Sequence, residues 1–423
     1  MRAAIGVKGS NDRVDALALL CREVLRSSSL CMIGGSVYHF DGRTYASCSL
    51  RRVLEVLGNL LMDAGASPLD VRRMGEIPLS VIGEKVKDAG SAVCFENGVY
   101  RLADDTFVRG FSADVVTTGC LPYPFIPGAT CPNWDAFLDE VLPDKGEQEA
   151  LHEFFAMCFI DRTKLSVEKM ALFIGSGANG KSVVCEVIKG MLGDEAVSNL
   201  DPAQLRDEKM LPVVKGKRLN FAPDVRKSSD FDSALKALAS GQDVTARRIY
   251  GEAEVIKCPP IVFALNEMPY FRDTTAAFFR RLLVFSFDVT IPEERQDKML
   301  ASKIKESDLP GVFLRVMNAR RALLQRGGEF MPTQKMRDAV ESLRHEATLS
   351  AEHPVRSYLE RRGLSPFPQD DASGFVNVTQ NEILLGLKGR VSANAVTREM
   401  KTYGIDLHRG RESYYRVYQI NTL

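Results

Sequence analysis

The sequence predicts an α/β chain: a parallel sheet with helices on both faces, preceded by an α+β and helical region and followed by a C-terminal winged helix. Three observations predict it. First, the apolar run Met170 to Ile174 enters the glycine-rich stretch IGSGANGKS at 174–182, and KSVVCEVIKGMLG then places apolar residues at helical spacing. Second, three more apolar runs of strand length follow, in VKGKRLNFAPDV, PPIVFAL and LLVFSF. Third, the last forty-odd residues read as helix, turn, second helix and two strands flanking HRGRES.

Bulk properties set the limits. A chain of 423 residues suits two to four domains at ~100–200 residues each. With 45% apolar residues and 55 basic against 55 acidic side chains, neither a disordered chain nor a long charged tail is expected. Neutrality leaves nucleic-acid binding open, because a local basic stripe is enough for it. The N-terminal MRAAIGVKGSNDRVDALALLCREVL lacks a signal peptide's apolar segment, and no apolar run approaches ~18 residues. A cytoplasmic protein with no membrane partner is expected. Nine cysteines, at 21, 31, 48, 94, 120, 131, 158, 185 and 258, form no C-x-x-C pair. That pattern suits reduced, mostly buried thiols and no zinc site.

Taken in order, residues 1–110 form an α+β unit. SVYHFDGRTYASCS reads as two strands around Asp41-Gly42, LRRVLEVLGNLLMDAG as a helix, and NGVYRLADDTFVRG as a second hairpin. This part holds no carboxylate constellation for a primase site and suits oligomerisation or partner docking. Residues 111–165 contain an amphipathic helical stretch from 133, with Trp134 as a packing anchor.

The loop motif opens the unit expected at 166–330. Gly175, four residues, then Gly180-Lys181-Ser182 fits G-x-x-x-x-G-K-[ST] between a strand and a helix. Glycines let successive N–H groups turn inward around a phosphate, with a helix N-terminus behind them. Gly175, Ser176, Gly177, Ala178, Asn179, Gly180, Lys181 and Ser182 are therefore the expected ATP cradle. Lys181 would reach the β- and γ-phosphates and the Ser182 hydroxyl would ligate Mg²⁺. Asp224 ends the second strand, where a carboxylate can hold the metal's water. Asn266 ends the third, and Arg280-Arg281 lead into the fourth. VTARRIYGEAEVIKC alternates as a hairpin with Tyr250-Gly251 near its tip.

Residues 331–423 begin helical. Pro354 opens a new segment, GLSPFPQDDASG reads as an exposed loop, and Ser392 caps the second helix of the winged-helix order. From Lys388 to the end there are seven Lys or Arg against three acids. Arg398 and Lys401 fall on one helix face, with Arg409 and Arg411 on the wing, which suits duplex or origin DNA. A module used for protein contacts is the alternative.

In this order the pieces resemble superfamily 3 helicases, which are AAA+-like, and in particular their poxvirus-type and phage or plasmid primase-helicase branch. GSGANGKS resembles the family's phosphate loop and GKRLNFAPD its acidic strand. LKALASGQDVTARRIYGE resembles the segment before its DNA-touching hairpin, PPIVFALNEMP its sensor strand, and RDTTAAFFRRLLVFSF its arginine-bearing segment. Upstream, FENGVYRL and CPNWDAFLDEVLPD resemble the preceding domain. The resemblance covers roughly 90–290.

It implies a ring, usually a hexamer, with ATP between neighbouring subunits. Lys181 and Ser182 would hold phosphates and metal, and Asn266 would orient the attacking water. Arg280 or Arg281 would reach the neighbour's ATP as a trans finger, and one of the two could instead be a structural arginine or a second sensor. Asp224 departs from the family, whose acidic strand commonly ends in Glu or two acids, so it could serve as base, as a metal-water ligand, or both. Arg247, Arg248, Tyr250 and Lys257 would meet single-stranded DNA in the channel by charge and stacking; Arg247 could instead contact nucleotide or a neighbour.

The function expected is an ATP-dependent DNA helicase of a phage, plasmid or mobile element, working with a separate primase or other replication proteins. The alternatives are a replication initiator that uses ATP to assemble on origin DNA and, less well matched, a small-molecule P-loop transferase.

Overall fold

The computed structural model describes residues 19, 22–23, 29–33, 36–63, 91–162, 164–225, 230–247, 253–266, 269–367, 372–387, 391–409 and 413–420. The N-terminal part folds as three short antiparallel strands, β1 (Leu30–Ile33), β2 (Ser36–Phe40) and β3 (Tyr45–Ser47), then helix α1 (Leu50–Asp63). The turn between β2 and β3 is Asp41-Gly42 as expected. The Asp41 carboxylate accepts from Arg43 N–H and Thr44 N–H at 2.8 Å each, and Gly42 takes φ 103. A second antiparallel sheet follows: β4 (Ala92–Phe95), β5 (Gly98–Arg101) and β6 (Thr106–Arg109).

Two helices, α2 (Pro132–Val141) and α3 (Lys145–Ala156), then form. Asp144 caps α3 by accepting from Gly146 N–H at 2.8 Å. The sequence suggests an amphipathic stretch, but α3 is buried on nearly every side. Glu147, Gln148, His152 and Glu153 all stand below a tenth exposed. The reason is its packing: α3 lies on the later helix α8 (Leu309–Gln325), and its polar residues find partners on neighbouring elements instead of water. Arg326 pairs with Glu153, and Lys335 lies 3.4 Å from Glu147. Trp134 is fully buried, and its indole N–H donates to His152 Nε2 at 3.0 Å.

The main sheet has five parallel strands: β7 (Met170–Ile174), β8 (Val197–Ser198), β9 (Leu219–Ala222), β13 (Ile261–Leu265) and β15 (Leu282–Ser286). Their order is β15-β7-β13-β9-β8, so the chain leaves β7 for the far edge and returns to place β13 beside it. Such crossovers cover both faces with other elements, which is why MALFI, LNFA and IVFAL are near-continuous apolar runs. Alternate residues of β7 enter different cores: Ala171 and Phe173 one, Met170 and Leu172 the other. Phe173 meets Phe155, Phe221 and Phe285 edge-on, with ring centroids 5.4–6.4 Å apart. Truncating it to alanine would cost about 3–5 kcal/mol.

Between the sheet strands lie helix α4 (Lys181–Leu192), the short parallel pair β10 (Asp230–Phe231) and β14 (Tyr270–Phe271), helix α5 (Ser233–Ala239), and the antiparallel pair β11 (Asp243–Arg247) and β12 (Ala253–Lys257). After β14 comes the single turn α6 (Ala276–Phe279). Helices α7 (Leu300–Ser307), α8 and α9 (Gln334–Glu352) close the layers. One apolar core runs from Val93 through Trp134, Phe173 and Phe313 to Met336, crossing the boundaries expected at 110 and 165. Phe95 of β4 touches Phe313 of α8 with centroids 4.8 Å apart, so the second sheet and helices α2 and α3 share one core with a face of the main sheet.

The C-terminal part has its own core, with Val355, Leu359, Ile383, Val396, Met400, Tyr415 and Val417 buried together. It comprises α10 (Pro354–Glu360), β16 (Leu364–Ser365), β17 (Ala372–Thr379), α11 (Gln380–Gly386), α12 (Ala393–Thr402) and β18 (Tyr414–Ile420). Ser392 caps α12 as expected, its hydroxyl accepting from Ala395 N–H at 3.2 Å. Two expectations are corrected. The strand after HRGRES pairs with β16 and β17, which precede both helices, and before it there is a single bridge, His408 to Tyr414. Within GLSPFPQDDASG, Leu364 and Ser365 are buried strand residues because β18 needs a partner on each edge. No described helix is long and apolar enough to cross a membrane.

Candidate functional site

The loop of 175–180 leaves β7 at its C-terminal end and enters α4. Ala178 has φ 57 and Gly180 has φ 87, left-handed conformations that turn the chain back on itself. A Cβ on Gly180 would stand 2.8 Å from Val141 and 2.9 Å from Phe137 of α2, so glycine is required there twice over. A Cβ on Gly175 would collide with the Asn179 amide and the Phe287 carbonyl. Asn179 is 3% exposed and donates to Phe287 O at 3.1 Å, tying the loop to the end of β15.

Lys181 is the buried cation of the loop. Its ammonium donates to Gly175 O at 2.6 Å, Ser176 O at 3.1 Å and Asn179 Oδ1 at 2.9 Å. Burial holds its pKa below the usual lysine range, with the Asp224 carboxylate opposing that shift. All its acceptors are neutral loop oxygens, so an anion entering the loop meets a cation without a tight ion pair. Ser182 is exposed in the first turn of α4.

Asp224 and Asn266 come to the same edge. Val225 N–H donates to Ala264 O at 3.0 Å, which sets Asp224 beside the end of β13. Leu265 is in register with Ile174, so Asn266 follows β13 just as Gly175 follows β7. Both side chains are exposed. Gly175, Asp224 and Asn266 therefore line the carboxyl ends of three adjacent strands, where ligands bind in open α/β sheets.

The two arginines lie at the other end. Met170 N–H donates to Arg281 O at 2.8 Å, so the pair sits where β7 begins. β7 alone spans roughly 13 Å, longer than an extended arginine side chain. Their environments differ. Arg281 is 8% exposed, donates to Ser240 Oγ at 2.8 Å and to Ala277 O, and pairs with Glu168 at 2.6 Å. Arg280 is exposed, with Glu168 at 3.8 Å, and its carbonyl accepts from Lys169 Nζ at 2.6 Å. Burial lowers the Lys169 pKa, with the two guanidinium charges adding to the shift. Sequence reasoning missed Glu168, Lys169 and Ser240, which carry no motif and become an anchor by folding alone.

The hairpin is present as β11 and β12, with Arg247 exposed at the end of β11 and its N–H donating to Glu208 O at 2.9 Å. Arg248 and Tyr250 lie outside the described residues. Lys257 faces Asp243 across the base of the hairpin, 3.9 Å away, because the antiparallel register puts strand ends together there. In the C-terminal part Arg398 and Lys401 are exposed on α12, and Arg409 is exposed after it; Arg411 lies outside the described residues. Glu399, between the two basic residues of α12, turns inward and accepts from Val355 N–H and Arg356 N–H at 3.0 Å. Among the described residues no group of three or more His, Cys, Asp or Glu could hold a metal.

Comparison with known proteins agrees with this architecture. Residues 76–143 match the family described as D5 N terminal like, and residues 173–281 match a family of unknown function (DUF5906). A protein of Acanthamoeba polyphaga mimivirus named as a helicase is 28% identical over 230 residues, covering 51% of this chain and 23% of that one. A protein of Invertebrate iridescent virus 6, also named as a helicase, is 25% identical over 257 residues, covering 53% and 26%. The chain thus spans about a quarter of the length of these relatives. The apo structure of the NrS-1 C-terminal region is similar in fold over 96% of this chain and 99% of that one, at TM-score 0.50 and 12% identity. These matches ally the chain with D5-like viral proteins that bear the helicase name.

Proposed function

We propose that the chain is an ATP-driven DNA helicase motor of the superfamily 3 type, assembled as a ring, and that each ATP is shared by two subunits. The reading rests on one separation. The phosphate loop, Asp224 and Asn266 lie at the carboxyl ends of the strands, and the exposed Arg280 stands at their opposite ends, beyond reach of its own loop. A cation is needed on the transferring phosphoryl group, because charge spreads onto its equatorial oxygens. Arg280 can supply it to a neighbour, and Arg281 holds Arg280 in place through Glu168. This divides the two roles that the sequence leaves open.

The residues present fit a metal-bound triphosphate. Lys181 exchanges the Gly175 and Ser176 carbonyls for phosphate oxygens. The Ser182 hydroxyl and the Asp224 carboxylate would hold Mg²⁺, which when bound neutralises charge on the phosphates. Asn266 orients the attacking water, and Asp224, exposed beside it, accepts its proton directly or through a second water. Motion of the β11–β12 hairpin, with Arg247 near its tip, then moves the strand in the channel.

The C-terminal helices α11 and α12 with β16–β18 are read as a variant winged helix in which the sheet's partners come from upstream. Exposed Arg398, Lys401 and Arg409 favour a second reading, an initiator that binds duplex origin DNA. ATPase activity stimulated several-fold by single-stranded DNA, with unwinding of a forked duplex, supports the motor. Tight, sequence-selective duplex binding without unwinding would replace it with the initiator.

A further inference from the structure

Cys94 of β4 and Cys120, in the segment between β6 and α2, lie side by side. Their sulfurs are 3.0 Å apart. The backbones form a parallel bridge, and Leu121 N–H donates to Cys94 O at 2.8 Å. Adjacent strands run about 4.8 Å apart, inside the roughly 4.4–6.8 Å Cα window that a disulfide tolerates. Joining these sulfurs closes a gap of about 1 Å.

The chemistry around the pair is not that of buried inert thiols. Arg43, from the β2–β3 turn, directs its charge at both sulfurs. Its Nε is buried with no hydrogen-bond partner among the described residues, and its guanidinium lies 5.3 Å from the Phe111 ring centroid. Cys120 is half-buried and Cys94 is 1% exposed. The hydrogen bond from Cys94 and then the Arg43 charge hold the Cys120 thiol below its usual range, while that same bond pushes Cys94 up. Elsewhere burial does the reverse, raising Cys131, Cys158 and Cys258 to about 12 and Cys185 to about 11.

We propose that Cys94 and Cys120 are an oxidisable dithiol, with Cys120 as the attacking sulfur, Arg43 as its activating cation and Cys94 as the resolving sulfur. With a peroxide as oxidant, the Cys120 thiolate attacks one peroxide oxygen. An S–O bond forms, the O–O bond breaks, and the departing hydroxide takes a proton to leave as water. Cys94 then attacks the sulfenic sulfur, an S–S bond forms, and hydroxide leaves with the Cys94 proton as a second water. The two sulfurs lose two electrons and hydrogen peroxide gains them. The bond would tie β4 to the stretch that braces the motor helix, since Tyr123 OH donates to Met191 O at 2.7 Å near the end of α4.

This inference is independent of the reading of the phosphate loop, and wild-type protein tests it. The full chain is treated with stoichiometric hydrogen peroxide, remaining thiols are alkylated, and non-reduced peptides are mapped by mass. A Cys94–Cys120 linked peptide is expected, with the melting temperature raised by roughly 5 °C and restored by dithiothreitol. Arg43→Gln should slow linkage several-fold. Oxidation of Cys48 ahead of the pair, Cys120 passing to a sulfinic acid beside an intact Cys94 thiol, or an unchanged rate in Arg43→Gln would each overturn the proposal.

Discussion

At the scale of single residues, adjacent side chains of one type carry different loads, and burial separates them. Arg281 is enclosed and bound to Ser240, Ala277 and Glu168; Arg280 is exposed beside it. Removing a buried, hydrogen-bonded guanidinium leaves its partners unpaired, at a cost on the order of 2 kcal/mol. Arg281→Ala should therefore lower the melting temperature by roughly 4–8 °C. Arg280→Ala should leave it within a degree or two while reducing ATP turnover by at least about 10³-fold. A melting curve and a phosphate-release assay on both variants check this; full ATPase activity in Arg280→Ala would remove the finger. Lys181→Ala should be inactive as well, because no other cation lines the described part of the loop. Both arginines were visible in the sequence as RR before an apolar strand. Their division of labour was not, because Glu168 and Ser240 are 113 and 41 residues away from Arg281 along the chain (281 − 168 and 281 − 240) and only the fold brings them together.

At the scale of elements, α2 and α3 show why a helix can look amphipathic in sequence and be enclosed in the fold. KGEQEALHEFFA has polar residues at every turn, yet Arg326 just after α8, Lys335 of α9 and Trp134 of α2 supply partners for them. His152 pays no charge there: burial lowers its pKa to about 4, and its neutral Nε2 accepts from Trp134. The sign follows from the unfolded chain, where the imidazole titrates near 6.5. Above that pH both states are neutral and the contribution is complete. As pH falls toward 4 the unfolded state takes up the proton first, and about 3 kcal/mol of stability is lost across the window. Denaturant midpoints measured from pH 7 to pH 4 should fall accordingly, and His152→Gln, which keeps an acceptor for the indole, should flatten the fall. The β11–β12 hairpin was equally legible as an element, from alternation around Tyr250-Gly251. Its tip set the rest: a turn near Tyr250-Gly251 puts Lys257 at the base, where it lies opposite Asp243. Arg247 stays near the tip, so Arg247→Glu should weaken the stimulation of ATPase by single-stranded DNA several-fold and reduce the salt dependence of binding by about one charge. Equal stimulation in wild type and variant would remove the hairpin from the DNA path.

At the scale of the whole molecule, the strand–loop–helix start was legible because its chemistry is local: glycines for left-handed turns, a lysine and a serine at the helix start. The sheet order was not, since MALFI, LNFA, IVFAL and LLVFS are interchangeable as apolar runs and pairing depends on crossovers that leave no local mark. That order puts Asp224 and Asn266 beside the loop, and the parallel direction of β15 puts Arg280 at the opposite end of the strands. On the proposed reading a monomer so arranged carries two half-sites at opposite ends of the strands, which a head-to-tail interface would bring together, giving a ring where the rotation closes. The consequence can be measured by mixing. Lys181→Ala subunits keep Arg280, and Arg280→Ala subunits keep Lys181, so each alone has only broken interfaces. Shuffled in equal amounts, a subunit with an intact loop meets a neighbour with an intact finger at about one interface in four, as chance pairing in a head-to-tail ring requires. ATPase activity should recover to about a quarter of wild type, and it should vanish again at dilutions that dissociate the assembly. Were each active site contained within one subunit, mixing two inactive variants would recover nothing at any ratio, and Arg280 would have to be acting from within its own chain across the full height of the sheet.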